Sequence, residues 1–359
     1  MPAVKKLHQS SQNNSKPSDI FGHSFQALGL LVRGPLGQVC AVPLCSRIHE
    51  GVAFCNRYRR TLLDKFVELF RTIAHELPGH VLLIVDADYA SRKIARPLLA
   101  SGHHLLTRVK SNAVAYEPAP TPKVRGRGRP RLYGKKLRLN DLWRAPRQAF
   151  QTDASPVYAE RGVWLRHYAL DLLWRPLGQL VRFVLVEHPR RGRLILMSTD
   201  RTLSALDIIA GYGDRFKIEV AFKQALHTLG TYAYHFWMMA MTPRPRRSGN
   251  PYLHRKPADY RRQVERKLAA DHRYVQLGCI AQGLLQYLAL SFRVQVWTHF
   301  RSWLRTMKPA QPPSEAVVAQ ALRNTLPEFL LNSPEEHDLK KFILEHTDFE
   351  RCPQLQLVA

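Results

Sequence analysis

Five apolar residues in a row, Val81-Leu-Leu-Ile-Val85, end in Asp86. A run this short, without alternation, reads as a strand buried on both faces. Its C-terminal end presents a carboxylate where the chain leaves the sheet. The surroundings agree with a sheet covered by helices. Leu62, Leu63, Phe66, Leu69, Phe70 and Ile73 recur at helical spacing before the run. A second helix is predicted over Ser91 to Leu99 and another strand over His103 to Val109. Two earlier strands, Ser24 to Val32 and Gln38 to Leu44, flank the turn Gly34-Pro35-Leu36-Gly37 and predict a hairpin. This order is that of an α/β domain with a mixed sheet.

Downstream the pattern changes. Residues 111–203 hold prolines, a basic run and three alternating stretches, Val163 to Leu172, Leu180 to Val186 and Arg193 to Ser198, and read as a β-rich insertion. A helical pattern starts at Ser204, a cap residue with Asp207 three positions on, and runs toward Ala240. Residues 242–257 are a basic, Pro-containing linker, and 258–359 form a helical C-terminal region. The polar residues 1–20 read as a loop or disordered arm.

Lys and Arg number 54 against 28 Asp and Glu, a formal charge of +26. Such an excess concentrates polyanions, and phosphates bind it by counterion release. Nucleic acid is the expected partner, against the alternative of a merely basic protein. The five cysteines, at 40, 45, 55, 279 and 352, form no CxxC pair. That argues against a disulfide framework or zinc site and for a reducing compartment, the cytoplasm. The first residues lack the apolar core of a secretory signal. The most apolar stretch, Leu277 to Phe292, contains Gln282 and Gln286 and reads as a core helix, so no membrane partner is expected.

Two groups could carry chemistry. Asp86, with Asp88 beside it, sits where α/β folds build their sites; the alternative is an Asp that caps the next turn. In Tyr212-Gly-Asp-Arg215-Phe-Lys-Ile-Glu219-Val-Ala-Phe-Lys223, the Tyr, Arg, Glu and Lys lie at offsets of three, four and four. On one continuous helix they share a face. That is either a surface salt-bridge ladder or an acid flanked by groups that contact phosphates.

Together these segments resemble the IS4-type DDE transposases, whose catalytic domain is ribonuclease-H-like. Val81 to Tyr89 and His103 to Lys110 match the family's strand ending in its second catalytic Asp and the strand that follows. Tyr212, Arg215 and Glu219 match the family's helix signature; its Lys position falls on Leu226, with Lys223 as the candidate substitute. The resemblance implies a ribonuclease-H-like catalytic domain in two pieces, 21–110 and 204–241, around the insertion 111–203. It also implies Mg²⁺ or Mn²⁺ held by Asp86 and Glu219, a DNA strand positioned by Tyr212, Arg215 and Lys223, double-stranded DNA as substrate, and a homo-oligomer on that DNA. The function it implies is metal-dependent strand cleavage and transfer at the ends of an insertion sequence. A catalytically inactive DNA-binding remnant and another ribonuclease-H-like nuclease are the alternatives. The family's first Asp has no counterpart on a preceding strand; Asp19 is the only acid upstream of Gly34, and the expectation is a chain that starts after that Asp.

Other features have plainer readings beside the functional ones. Asp200, nineteen residues before Glu219, would give the rival triad Asp86, Asp200 and Glu219, or else helps initiate the following helix. Arg127 and Arg129 lie in Arg125-Gly-Arg-Gly-Arg-Pro-Arg131, which has the core of a minor-groove AT-hook or is a flexible basic linker. Trp164 and Trp174 could hold an unstacked base or pack in the core. His103 and His104 read as structural.

Overall fold

The computed structural model describes residues 1–8, 17–57, 59–121, 128, 130–158, 160–239, 241, 252–302, 307–334, 338–348 and 350. The chain divides into two compact units, one of residues 1–54 and 218–359 and one of residues 55–217.

In chain order the first unit begins with β1 (Lys5–His8) and β2 (Asp19–Gly22), which pair antiparallel. The first twenty residues were expected to be a loop or disordered arm, yet both strands draw on them. The predicted hairpin follows as β3 (Phe25–Arg33) and β4 (Val39–Ile48), a separate two-stranded sheet.

The second unit opens with α1 (Leu62–Ala74). Thr61 and Asp64 form a reciprocal capping box at its start, which satisfies two otherwise orphaned amides. Lys93 joins Asp64 at 2.9 Å. The Thr61 amide and hydroxyl, then Lys93, hold the Asp64 carboxyl down at about 2. The predicted apolar strand is β5 (Leu82–Val85). After α2 (Arg92–Ala100), capped by Ser91, β6 (His104–Arg108) returns parallel to it.

Six more strands follow: β7 (Val114–Pro118), β8 (Tyr133–Arg138), β9 (Gln151–Ala154), β10 (Trp164–Trp174), β11 (Gln179–His188) and β12 (Gly192–Ser198). They extend the sheet of β5 and β6, in the order β5-β6-β12-β11-β10-β7-β8 with β9 on β10. Only β5–β6 is a parallel pair. The result is the expected mixed sheet. Helix α3 (Ala205–Asp214) lies on one face, where Ile208 and Ile209 pack on Leu106, Leu165, Val184, Val186 and Leu196. The alternating residues of β10 and β11 supply that face, as period-two patterning requires.

The helix predicted to run from Ser204 toward Ala240 is not continuous. α3 ends at Asp214, α4 (Lys217–Gln224) begins after Arg215 and Phe216, and a π turn, Ala225–Leu229, closes at Gly230 with φ +64°. The left-handed conformation at Gly230 stops the helix there.

The first unit resumes with α5 (Ala258–Ser291), α6 (Arg293–His299), α7 (Glu315–Leu331) and α8 (Asp338–His346). α5 packs along β4 through polar side chains. Gln276 Nε2 donates to Leu44 O at 2.8 Å, Gln286 Nε2 to Ala41 O at 3.1 Å, and His272 Nε2 accepts from Ile48 N at 3.1 Å. These groups satisfy a strand that would otherwise expose main chain in a two-stranded sheet. Gln282 likewise donates to Ala221 O at 2.9 Å. So the two glutamines in the apolar stretch are buried hydrogen-bond donors, while Leu277, Ile280, Leu284 and Tyr287 lie on an exposed face. No single helix among the described residues is long and apolar enough to cross a membrane.

Candidate active site

The site is built first around Asp86, at the C-terminal end of β5. Its Oδ1 accepts from the Ala87 amide at 2.7 Å, so it caps the short 3-10 turn Ala87–Tyr89, and it receives the Tyr212 hydroxyl at 3.4 Å. Thr107 of β6 donates to the Asp86 carbonyl at 2.9 Å and fixes the backbone there. The cap reading and the site reading of Asp86 therefore coexist: one oxygen orders the turn, and the carboxylate remains exposed.

Tyr212 reaches Asp86 because α3 crosses the sheet face and ends beside β5. Gly211 sits 3.3 Å, at the position of an added Cβ, from Leu106 Cδ2, which leaves little room for any side chain. The Arg215 guanidinium lies 5.5 Å from the Tyr212 ring centroid. Burial, and then the Asp86 charge, push the Tyr212 hydroxyl up from its ordinary value. Arg108, one residue past the strand position that faces Val85, adds a cation to this group. It was not singled out from the sequence. Its signal was there: the residue one place beyond β5's last partner on a parallel neighbour lies level with Asp86.

Asp88 pairs instead with Lys110 at 3.1 Å. Glu219 and Lys223 are exposed on α4, in the other unit. The break at Arg215–Phe216 means that Tyr212, Arg215, Glu219 and Lys223 do not share one continuous helix face, as their offsets had implied.

Strand direction separates Asp200 from Asp86. Val85 faces Thr107 on the parallel β6, and Thr107 faces Met197 on the antiparallel β12. Asp86 is therefore level with Leu196, and Asp200 lies four residues away toward the opposite end, roughly 13 Å along the strands. Two metals in a phosphoryl-transfer centre are about 4 Å apart, so these two acids cannot share one. Asp200 is occupied locally, accepting from the Thr202 hydroxyl at 2.6 Å and amide at 2.9 Å. Burial pushes its carboxyl up, but those two bonds together with the charges of His104 and Arg182 outweigh it and leave it below its ordinary value. Ser204, with Asp207, caps α3 as expected.

Asp19 sits in β2 with Lys6 at 2.9 Å, and that bond lowers its carboxyl. Trp174 is a core residue, 7% exposed; Trp164, on the same strand, is 62% exposed. His103 Nδ1 accepts from the Val81 amide at 3.2 Å and its ring meets Phe70 edge-on, a structural role. Arg127 and Arg129 lie outside the described residues.

Mg²⁺ keeps several of its waters and is held through one or two carboxylates together with substrate phosphates, so a two-metal centre needs at least two acids close together. Within the Asp86 unit, no group of three His, Cys, Asp or Glu side chains suited to a metal ion is assembled among the described residues. Asp88, two residues from Asp86, is paired with Lys110, so among the described residues this unit's donors do not by themselves fit a two-metal centre.

No curated protein matches the chain. Residues 45–163, which contain β5, Asp86 and β6, match the family described as DDE superfamily endonuclease, and this similarity supports a DDE-type, transposase-like domain.

Proposed function

We propose that the chain is a DNA transposase of the IS4 type, cutting at the ends of an insertion sequence and joining them to a target. The observation that carries this is Asp86, held by Ala87, Thr107 and Tyr212 at the C-terminal end of β5, inside the stretch similar to DDE superfamily endonucleases. The +26 charge supports DNA as substrate. Endonucleases of this superfamily generally use divalent metal ions; Asp86 and Glu219 are the acids assigned to Mg²⁺ or Mn²⁺. Tyr212 orients the Asp86 carboxylate as well as lining the strand's path, and Arg215, Arg108 and Lys223 supply positive charge for phosphates.

The chemistry is hydrolysis and then transesterification. Water oxygen attacks phosphorus, the bond to the 3′ oxygen breaks, and that oxygen takes a proton to become a 3′ hydroxyl. The hydroxyl then attacks a target phosphodiester and displaces another 3′ oxygen. The test is nicking of duplex DNA by the full chain in Mg²⁺ or Mn²⁺, with Asp86→Asn and Glu219→Gln alongside. Cleavage that leaves 3′ hydroxyls and is lost in both variants supports the reading; cleavage that both variants retain overturns it.

A second reading, a DNA-binding remnant without catalysis, is favoured because no three metal-ligating side chains are assembled among the described residues. DNA binding with no cleavage in either metal selects it.

A further inference from the structure

The loop between β9 and β10 holds a non-glycine residue in the left-handed region: Tyr158, at φ +55°. Bulky residues avoid that conformation, and it persists where surrounding contacts impose it. Here they do. The Tyr158 hydroxyl donates to Gly213 O at 2.7 Å, at the end of α3. Val157 packs so closely on Gly213 that an added Cβ would meet its Cγ1 at 2.6 Å. Glu160 accepts from Ser155 at 2.8 Å, His188 at 2.9 Å and Arg191 at 2.7 Å, which ties the loop to the β11–β12 turn. The His188 bond is the leading cause of a lowered Glu160 carboxyl. His188 Nδ1 meanwhile accepts from the amides of Arg190 and Arg191.

The product of this bracing is a ring that gathers cations. The Arg191 guanidinium lies 4.9 Å and the Lys217 ammonium 5.5 Å from the Tyr158 centroid. The exposed Arg190 is on the same turn, and the exposed Arg161 on the same loop. An aromatic face attracts cations and offsets part of their mutual repulsion. One acid, Glu160, is bonded into this group.

The register places this cluster relative to Asp86. Asp86 is level with Leu196, and the turn preceding Gly192 lies four residues on, at the same end of the sheet. That is roughly 13 Å along the strands and, from β5 to β12, about 10 Å across them. The span covers two or three phosphates of a nucleic-acid strand.

We propose that Tyr158, Arg190, Arg191 and Lys217 form a phosphate-binding subsite that grips the sugar–phosphate backbone of the DNA strand leaving Asp86. The subsite rests on the reading of the chain as a DNA-cutting enzyme, but its test needs no cleavage. The full chain is titrated into a fluorescein-labelled 20-base-pair duplex, read by anisotropy across a salt series. Arg190→Ala with Lys217→Ala is expected to weaken binding about tenfold and to reduce the slope of log K against log salt by about two. Tyr158→Gly accepts φ +55° without strain. It is expected to weaken binding several-fold with an unchanged or higher Tm. Lys135→Ala with Lys136→Ala, on β8 at the far edge of the sheet, removes equal charge and is expected to change the slope by less. Unchanged affinity and slope in both the double Ala and the Gly variants overturn the subsite, as does an equal loss in the β8 control. A chain that binds through the subsite yet never nicks DNA leaves the subsite standing and overturns only the cleavage reading.

Discussion

The two units solve the same problem, covering a sheet, with different mixtures of side chains. In residues 55–217 the faces of a long sheet are covered by apolar side chains; Phe183, Val184, Leu185 and Leu196 are essentially inaccessible. In the other unit the β3–β4 hairpin is held by a helix whose buried side mixes Val275, Cys279 and Leu285 with Asp271, His272, Gln276, Gln282 and Gln286. The first arrangement draws on area and packing and tolerates sliding of neither face. The second depends on individual hydrogen bonds, so its losses are local and its behaviour varies with pH.

The largest expected effect is on the proposed cleavage. If Asp86 holds the metal as proposed, Asp86→Asn should lower nicking a hundredfold or more, about 3 kcal/mol or more in the barrier, and leave Tm unchanged. A matching loss of stability would show that the carboxylate serves the fold. Next comes the apolar core. Phe183→Ala should cost about 3–5 kcal/mol in denaturant unfolding of the sheet unit, through lost transfer energy and the cavity left behind. A loss below about 1 kcal/mol would mean that the sheet is not packed as described.

The polar interface responds to protons. Burial raises the Asp271 carboxyl to about 6, and Asp271 is 3% exposed. Its folded form holds a proton that the unfolded form has lost, so stability falls as pH rises from about 4 to about 6. Burial, and then Arg47, lower His272 to about 4. Its unfolded form is protonated where the folded form is not, so stability rises with pH from about 4 to about 6.5. The two adjacent residues thus cancel over most of that window. Asp271→Asn should unmask the histidine's rise and stabilise the fold by about 1–3 kcal/mol at pH 7, with no gain near pH 3. A pH profile parallel to that of the parent would break the assignment.

Of similar size, Gln286→Ala removes the side-chain donor to Ala41 O and should cost about 1–3 kcal/mol, visible as faster hydrogen exchange along β4. Thr61→Ala removes one capping box and should cost about 1 kcal/mol.

Much of the Asp86 neighbourhood was legible beforehand. The run Val81–Val85, the helix cap at Ser91 and the strand after His103 all fell within a residue or two of β5, α2 and β6. The cap at Ser204 did as well. What failed to show was anything set by distant partners. The polar residues 5–8 gave no sign of pairing, because a ladder needs a second strand rather than apolar residues. The break at Arg215–Phe216 interrupts a periodicity that is itself intact.

The sequence by itself determined the elements around Asp86, the carboxylate at a strand end and the excess of positive charge, because apolar periodicity, caps and charge act over a few residues or need no structure at all. Tertiary structure alone decided that Asp200 lies at the far end of the sheet, that Tyr212 turns its hydroxyl to Asp86, and that Tyr158 gathers Arg191 and Lys217. The first follows from the direction in which strands pair, the other two from where α3 packs across the sheet; each joins segments far apart in the chain, and no local pattern records that.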